Sequence, residues 1–312
     1  MTTNTKDMDL LPIHRLLAVG EPGAGKTAQI ATLPGRKYVM AFDPGTVPFL
    51  ITRKVDADVD EFLPDVGSMD FTLKGFNKGS RDDKPRKILE PTTYTTWEAH
   101  FNKLYDSGSF DAYDWVIGDS LTLLVRAMMN RVLYLNNRYG GIEELSDYRV
   151  VGNKLAQIFT AITSMKSNIY WTGHIQTFQD ETTKRITTQL GIPGSARDML
   201  PKLFSNIWLL QPSTKEKGNY TLLTRPDTRG FQAIRTVIPN LPAEIDVTIP
   251  EKEWHRAEEY GIGAILKGKK SIGIAPTRPI VPTANAKSTN GLPKPDPAPQ
   301  GAAASDPQPT SA

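Results

Sequence analysis

Residues 20–27 read Gly-Glu-Pro-Gly-Ala-Gly-Lys-Thr, and the octet fits the pattern G-x-x-x-x-G-K-[ST] at every fixed position. The spacing has a chemical reason. Glycines let the backbone curl so that successive N–H groups aim at phosphate oxygens, and a helix N-terminus below them adds partial positive charge. Lys26 is placed to reach β- and γ-phosphates, and the Thr27 hydroxyl to hold Mg²⁺. The pattern needs a strand before it and a helix after it. Leu16-Leu17-Ala18-Val19 suits a buried strand, and Ala28 to Leu33 a helix that ends at Pro34-Gly35. Gly20, Glu21, Pro22, Gly23, Ala24, Gly25, Lys26, Thr27 and Ala28 are therefore the expected cradle for a nucleoside triphosphate with Mg²⁺.

Composition narrows the remaining classes. At 312 residues, 39% hydrophobic and 23% charged, the chain can bury a sizeable core. No apolar run reaches the length of a membrane span, and residues 1–12 lack a signal-peptide core, so the cytoplasm is the expected compartment. Without cysteine there is neither a disulfide framework nor a thiolate metal site, and the 4 histidines show no ligand spacing. A net charge of +3 permits a nucleic-acid partner without requiring one.

Along the chain, a polar leader (1–12) precedes a core expected over 13–250. Lys37 to Phe42 reads as a second strand ending at Asp43-Pro44-Gly45. Val55 to Pro91 resists reading, and its charged stretch Lys78 to Lys87 suggests a surface excursion. Thr95 and Glu98 have capping-box spacing ahead of a helix carrying Trp97, Phe101, Leu104 and Tyr105. Trp115 to Ser120 is an apolar run ending in Asp119, the acid a nucleotide-binding sheet needs beside its phosphate loop. Helices are expected over Leu121–Tyr139 and Tyr148–Lys166, then a strand over Ile169–Thr172 that ends in Gly173-His174. This alternation of strands and helices argues an α/β fold with a mostly parallel sheet covered by helices. Ile175 to Ser195 reads as a polar loop. A short helix (Arg197–Phe204), a strand (Ile207–Leu210) and a terminal antiparallel hairpin (Tyr220–Thr224 with Phe231–Val237) follow. A short extension is expected over 251–273, with a helix from Glu251 to Tyr260. The Pro/Ala/Ser-rich tail, 274–312, is expected to be disordered.

The ordered set resembles the RecA-like P-loop ATPases, in particular the phage-encoded branch that includes single-strand annealing proteins of recombination. The resemblance spans roughly Arg15 to Val247. It rests on the phosphate loop, on Trp115 to Thr122 (WVIGDSLT), on Ile169 to Gln176 (IYWTGHIQ) and on Gln189 to Leu210. It implies that Lys26 and Thr27 bind phosphate and Mg²⁺, that Asp119 is the Walker B acid, and that His174 is the sensor at the end of the fourth core strand. It further implies that the polar loop meets single-stranded DNA, through Lys184 and Arg185 on phosphates and Phe178 stacked on a base.

Two positions depart from the family's pattern. Gly45 stands near the place of the glutamate that polarises water, so hydrolysis is expected to be slow, with Asp43, Glu21 or Glu98 as substitutes. The neighbour-reaching Lys-x-Lys of the terminal hairpin corresponds to Ala233-Ile234-Arg235, leaving Arg235 as the transferred cation and Arg225 and Arg229 as alternatives. The resemblance implies a homo-oligomeric ATPase acting on single-stranded DNA, with the tail a possible recruiter of a single-strand binding protein. A helicase-like or loader ATPase of phage replication, and a nucleotide-gated DNA-binding module with little hydrolysis, are the alternatives.

Overall fold

Strand β1 (Arg15–Gly20) must lie inside a sheet, because Leu16, Leu17, Ala18 and Val19 are all fully buried and both faces of the strand need cover. The structure is a computed structural model and describes residues 13–64, 90–179, 181, 186–214, 216–226 and 231–268. The expected leader, the tail, Lys184, Arg185, Arg229 and the charged stretch at 78–87 lie outside these residues.

Eight further strands share the sheet among the described residues: β2 (Lys37–Ala41), β3 (Asp58–Glu61), β4 (Trp115–Asp119), β5 (Asn168–Gln179), β6 (Ile186–Leu190), β7 (Asn206–Pro212), β8 (Tyr220–Leu223) and β9 (Glu244–Asp246). Their order is β3-β2-β4-β5-β1-β7-β8-β9, with β6 paired to β5. Every pairing from β3 to β7 is parallel, and β8 and β9 add antiparallel at the end. The helices are α1 (Thr46–Thr52), α2 (Thr93–Asp106), α3 (Leu121–Leu135), α4 (Leu145–Ser164), α5 (Ala196–Met199) and α6 (Gly261–Leu266).

Alternation along the strands divides the core into two layers. Leu17 and Val19 face a layer built with Trp97 and Phe101 of α2, Leu124 and Met128 of α3, and Leu155 and Phe159 of α4. Leu16 and Ala18 face the other layer, with Ile30, Leu50 of α1, Tyr170, Trp208, and Ile262 and Ile265 of α6. The C-terminal stretch is part of this second layer. Ile262 N–H donates to Gln29 Oε1 at 3.0 Å and Gly263 N–H to Thr32 Oγ1 at 3.2 Å. A Cβ on Gly263 would stand 1.9 Å from the Thr32 carbonyl oxygen, so only glycine allows this approach.

Four expectations are corrected. The segment after the phosphate loop, Thr27–Thr32, is a six-residue 3-10 helix rather than an α-helix. The capping box at Thr95 is absent: α2 starts earlier, and Thr95 Oγ1 donates to the Thr92 carbonyl. The polar stretch after His174 is a ribbon, in which Ile175–Gln179 of β5 pair antiparallel with Ile186–Leu190 of β6. Its residues 176–179 are partly or fully exposed, so no buried face writes an alternating pattern into the sequence. Finally, Tyr220–Leu223 pairs with Glu244–Asp246 and not with Phe231–Val237. Among the described residues the latter makes isolated bridges only, Thr188 to Phe231 and Ile207 to Arg235.

Candidate functional site

Parallel strands deliver their C-terminal ends to one edge of the sheet, and the candidate residues meet there. Gly20 is in register with His174, and Ala41 with Asp119. Beyond β1 the phosphate loop turns through Gly23 (φ +77°) and Gly25 (φ +84°), left-handed conformations that side chains disfavour. Lys26 is buried; its Nζ donates to the carbonyls of Gly20 (2.9 Å) and Glu21 (2.8 Å) and lies 3.4 Å from His174 Nδ1. Burial lowers its pKa, and the charges of Asp119, Glu21 and Asp43 partly offset that. Tyr170 OH donates to the Lys26 carbonyl at 2.7 Å and so ties β5 to the loop.

Asp119 organises the rest. Its Oδ2 accepts from Thr27 Oγ1 and Thr46 Oγ1, each at 2.8 Å, and its Oδ1 accepts from Thr172 Oγ1. Asp43 sits beside it: its N–H donates to the Asp119 carbonyl at 3.1 Å, and its Oδ1 accepts from Gly45 N–H at 2.8 Å. Lys26, Thr27, Asp43, Asp119 and His174 all line one cleft of about 470 Å³.

The other candidates are elsewhere. The Arg235 guanidinium is absent from the cleft wall and donates to the carbonyls of Phe204 (3.0 Å) and Pro201 (2.5 Å), closing off its own chain's 3-10 turn. Glu98 accepts from Tyr94 OH at 2.9 Å and pairs with Lys154 at 2.8 Å. Phe178 lies on the β5–β6 ribbon, exposed, with the Arg197 guanidinium 5.8 Å above its ring. Sequence reading missed Thr46 and Thr172, the two further hydroxyls on Asp119. It also missed the rest of the cleft lining: Phe49, Arg53, Tyr220, Val247, Ile249 and Trp254. No motif marks these residues, because they come from four separate segments.

The residues fit a Mg²⁺-nucleotide. A cation whose protein contacts are two carbonyls and a ring nitrogen, with no carboxylate among the described residues bonded to it, is available to phosphate oxygens, and a threonine hydroxyl beside a buried carboxylate offers the hard oxygen donors Mg²⁺ takes. Among the described residues no group of three or more His, Cys, Asp or Glu could hold a metal by itself. With a 3-10 turn in place of a longer helix, loop N–H groups and Lys26 must supply most of the phosphate attraction.

His174 makes the site pH-sensitive. Burial, then the charge of Lys26, lowers its pKa from the ordinary 6.5. Folded His174 resists protonation, so the unfolded chain takes up the proton first. Stability present above pH 6.5 is therefore lost as pH falls through that value, and the loss levels off once the folded imidazole titrates. His14 shifts the same way, by burial and then by Arg15. The thermal midpoint should fall between about pH 7.5 and 5.5, and His174→Asn should flatten part of the slope. An unchanged slope in that variant would remove His174 as a contributor.

A mostly parallel sheet with antiparallel strands at its end, and a phosphate loop facing a buried Asp119, define a P-loop ATPase of RecA-like build. The chain belongs to the AAA-domain family, which matches residues 14–236. No curated protein matches. Among solved structures, the flagellar accessory protein FlaH from Methanocaldococcus jannaschii is similar at 12% identity, over 77% of this chain and 87% of that chain. Its TM-score is 0.37, a likeness that adds nothing to the topology above. No described helix is long and apolar enough to cross a membrane.

Proposed function

We propose that the chain binds ATP with Mg²⁺, hydrolyses it slowly, and acts as a phage-encoded homo-oligomer on single-stranded DNA in recombination or annealing. The observation that carries this reading is the position of His174. It stands 3.4 Å from Lys26 at the root of the exposed β5–β6 ribbon, and its backbone N–H donates to Thr122 Oγ1 at 3.0 Å. A side chain that feels the phosphates and starts the ribbon can pass nucleotide state to whatever the ribbon touches. Exposed Phe178 offers a stacking surface there, with Lys184 and Arg185 as the expected phosphate contacts.

In hydrolysis, Lys26 would hold the γ-phosphate and Thr27 and Asp119 would orient the metal. Asp43, with Oδ1 held by Gly45 N–H, would accept a proton from water through its other oxygen. Lacking the usual glutamate at Gly45, the chain gains rate from a neighbour's cation. Arg225 is exposed and donates only a 3.4 Å contact to the Leu241 carbonyl, which makes it a better donor in trans than Arg235.

A second reading, a nucleotide-gated binding module with little hydrolysis, is favoured by the same Gly45. Steady-state hydrolysis with Mg²⁺, with and without single-stranded DNA, over a range of protein concentrations separates the two. Stimulation by DNA that grows with protein concentration is the expected result. ATP binding without hydrolysis under any condition would overturn the ATPase reading and leave the module.

A further inference from the structure

We propose that the C-terminal stretch from Val247 to Trp254, which lies beyond the family match at 14–236, completes the nucleotide site by clamping a purine base with Arg53 and Trp254. The inference rests on the ATP-binding reading and specifies the base end of that site.

The cleft has two chemically distinct parts. One holds Lys26, Thr27, Asp43, Asp119 and His174, the groups that suit phosphate and metal. The other is lined by Phe49, Val247, Ile249 and Trp254, with Arg53 and Glu251 as its polar members. A triphosphate anchored at Lys26 must direct its ribose and base toward the second part, because an apolar wall offers nothing to phosphate.

Distance along the chain agrees. Trp254 packs with the cluster formed by Ala31, Ile249 and Ala257, so it stands beside the last turn of the 3-10 helix that begins after Lys26. Five residues of 3-10 helix at about 2 Å each put roughly 10 Å between the two ends, comparable to a phosphate–ribose arm.

The apolar part is also held in place. The Arg53 guanidinium lies over the Trp254 ring, 4.4 Å from its centre, and is ion-paired with Glu251 at 2.5 Å. Phe49 meets Trp254 edge to face at 5.7 Å. With the guanidinium stacked over one face of the indole, the pair presents the outer face of the guanidinium, backed by the ring, as a planar cationic surface on which a purine stacks with more overlap than a pyrimidine. The positions come from α1 and its C-cap Arg53 and from the C-terminal 3-10 stretch Glu251–Glu259, so nucleotide binding would bridge the two and fasten the C-terminal stretch to the core.

The test uses the full chain, with ATP and CTP as probes in Mg²⁺ and affinity read by calorimetry alongside tryptophan fluorescence. Of the 5 tryptophans, Trp97, Trp115, Trp171 and Trp208 are fully buried in the core, so Trp254 is the one at the cleft and ATP should change its emission. Wild-type protein is expected to prefer ATP to CTP. Trp254→Ala should lose about tenfold in ATP affinity and most of that preference, while Trp254→Phe keeps both in large part. Arg53→Ala, which leaves the apolar cluster intact, should lose the preference as well, and it guards against a folding defect in the tryptophan variant. If Trp254→Ala and Arg53→Ala bind ATP as wild type does and still discriminate against CTP, the clamp is overturned while the phosphate site stands. If wild-type protein binds neither nucleotide, the ATP reading falls and the clamp falls with it.

Discussion

Lys26→Ala is expected to abolish measurable ATP binding and to leave the fold in place. Two charge-assisted hydrogen bonds from one ammonium to phosphate contribute about 1.5–3 kcal/mol each, so affinity should fall by at least about a hundredfold. The thermal midpoint should move by no more than about 2 °C, for a reason visible in the structure. Lys26 is a cation whose pKa burial lowers, and its protein partners are two loop carbonyls and, at 3.4 Å, the His174 ring nitrogen. Removing it gives up two hydrogen bonds and relieves a desolvated charge, and these nearly cancel. Calorimetric titration with ATP, paired with a thermal melt, measures both quantities. An alanine variant that binds ATP with wild-type affinity would overturn the phosphate-loop assignment itself.

Asp119→Ala should be the more damaging change. The carboxylate accepts three hydroxyl hydrogen bonds, from Thr27, Thr46 and Thr172, in a place where it is only 3% exposed. Deleting it leaves three hydroxyls on three different segments without their shared acceptor. At roughly 1.5–3 kcal/mol for a bond to a charged group, partly recovered by water, the loss should be about 4 kcal/mol. For a domain of this size that is a midpoint about 10 °C lower. Asp119→Asn keeps the shape and one accepting oxygen, and should cost about half as much. In both variants the Mg²⁺-dependent part of ATP affinity should vanish while a weaker Mg²⁺-independent part remains, because Lys26 and the loop are intact. Wild-type Mg²⁺ dependence in Asp119→Asn would remove Asp119 from the metal site.

The difference between these two expectations shows where motif reading works. Lys26 and Thr27 act through local backbone geometry, and eight consecutive residues contain all of it. Asp119 was legible as an acid at the end of an apolar strand, but its second and third hydroxyl partners were not. Thr46 follows β2 and Thr172 lies within β5, and only the parallel order β2-β4-β5 brings them to the same carboxylate. The β5–β6 ribbon was invisible for a related reason. A two-stranded ribbon whose β5 residues 176–179 are all exposed needs no hydrophobic alternation there, so its residues read as a loop. Arg235 shows what a motif correspondence leaves out: within its own chain the guanidinium donates to the carbonyls of Phe204 and Pro201, partners that no local pattern marks.

The sequence by itself therefore determined the phosphate loop, the acid opposite it, and the alternation of buried strands and helices that makes a mostly parallel α/β sheet, because each is written in contiguous residues at a period set by backbone geometry. Tertiary structure alone decided the strand order that gathers Thr46, Asp119, Thr172 and His174, the pairing of β8 with β9, and the return of residues 247–268 to the phosphate-loop side of the core. Those features depend on which distant segments can bury apolar surface against each other, and no local pattern records that choice.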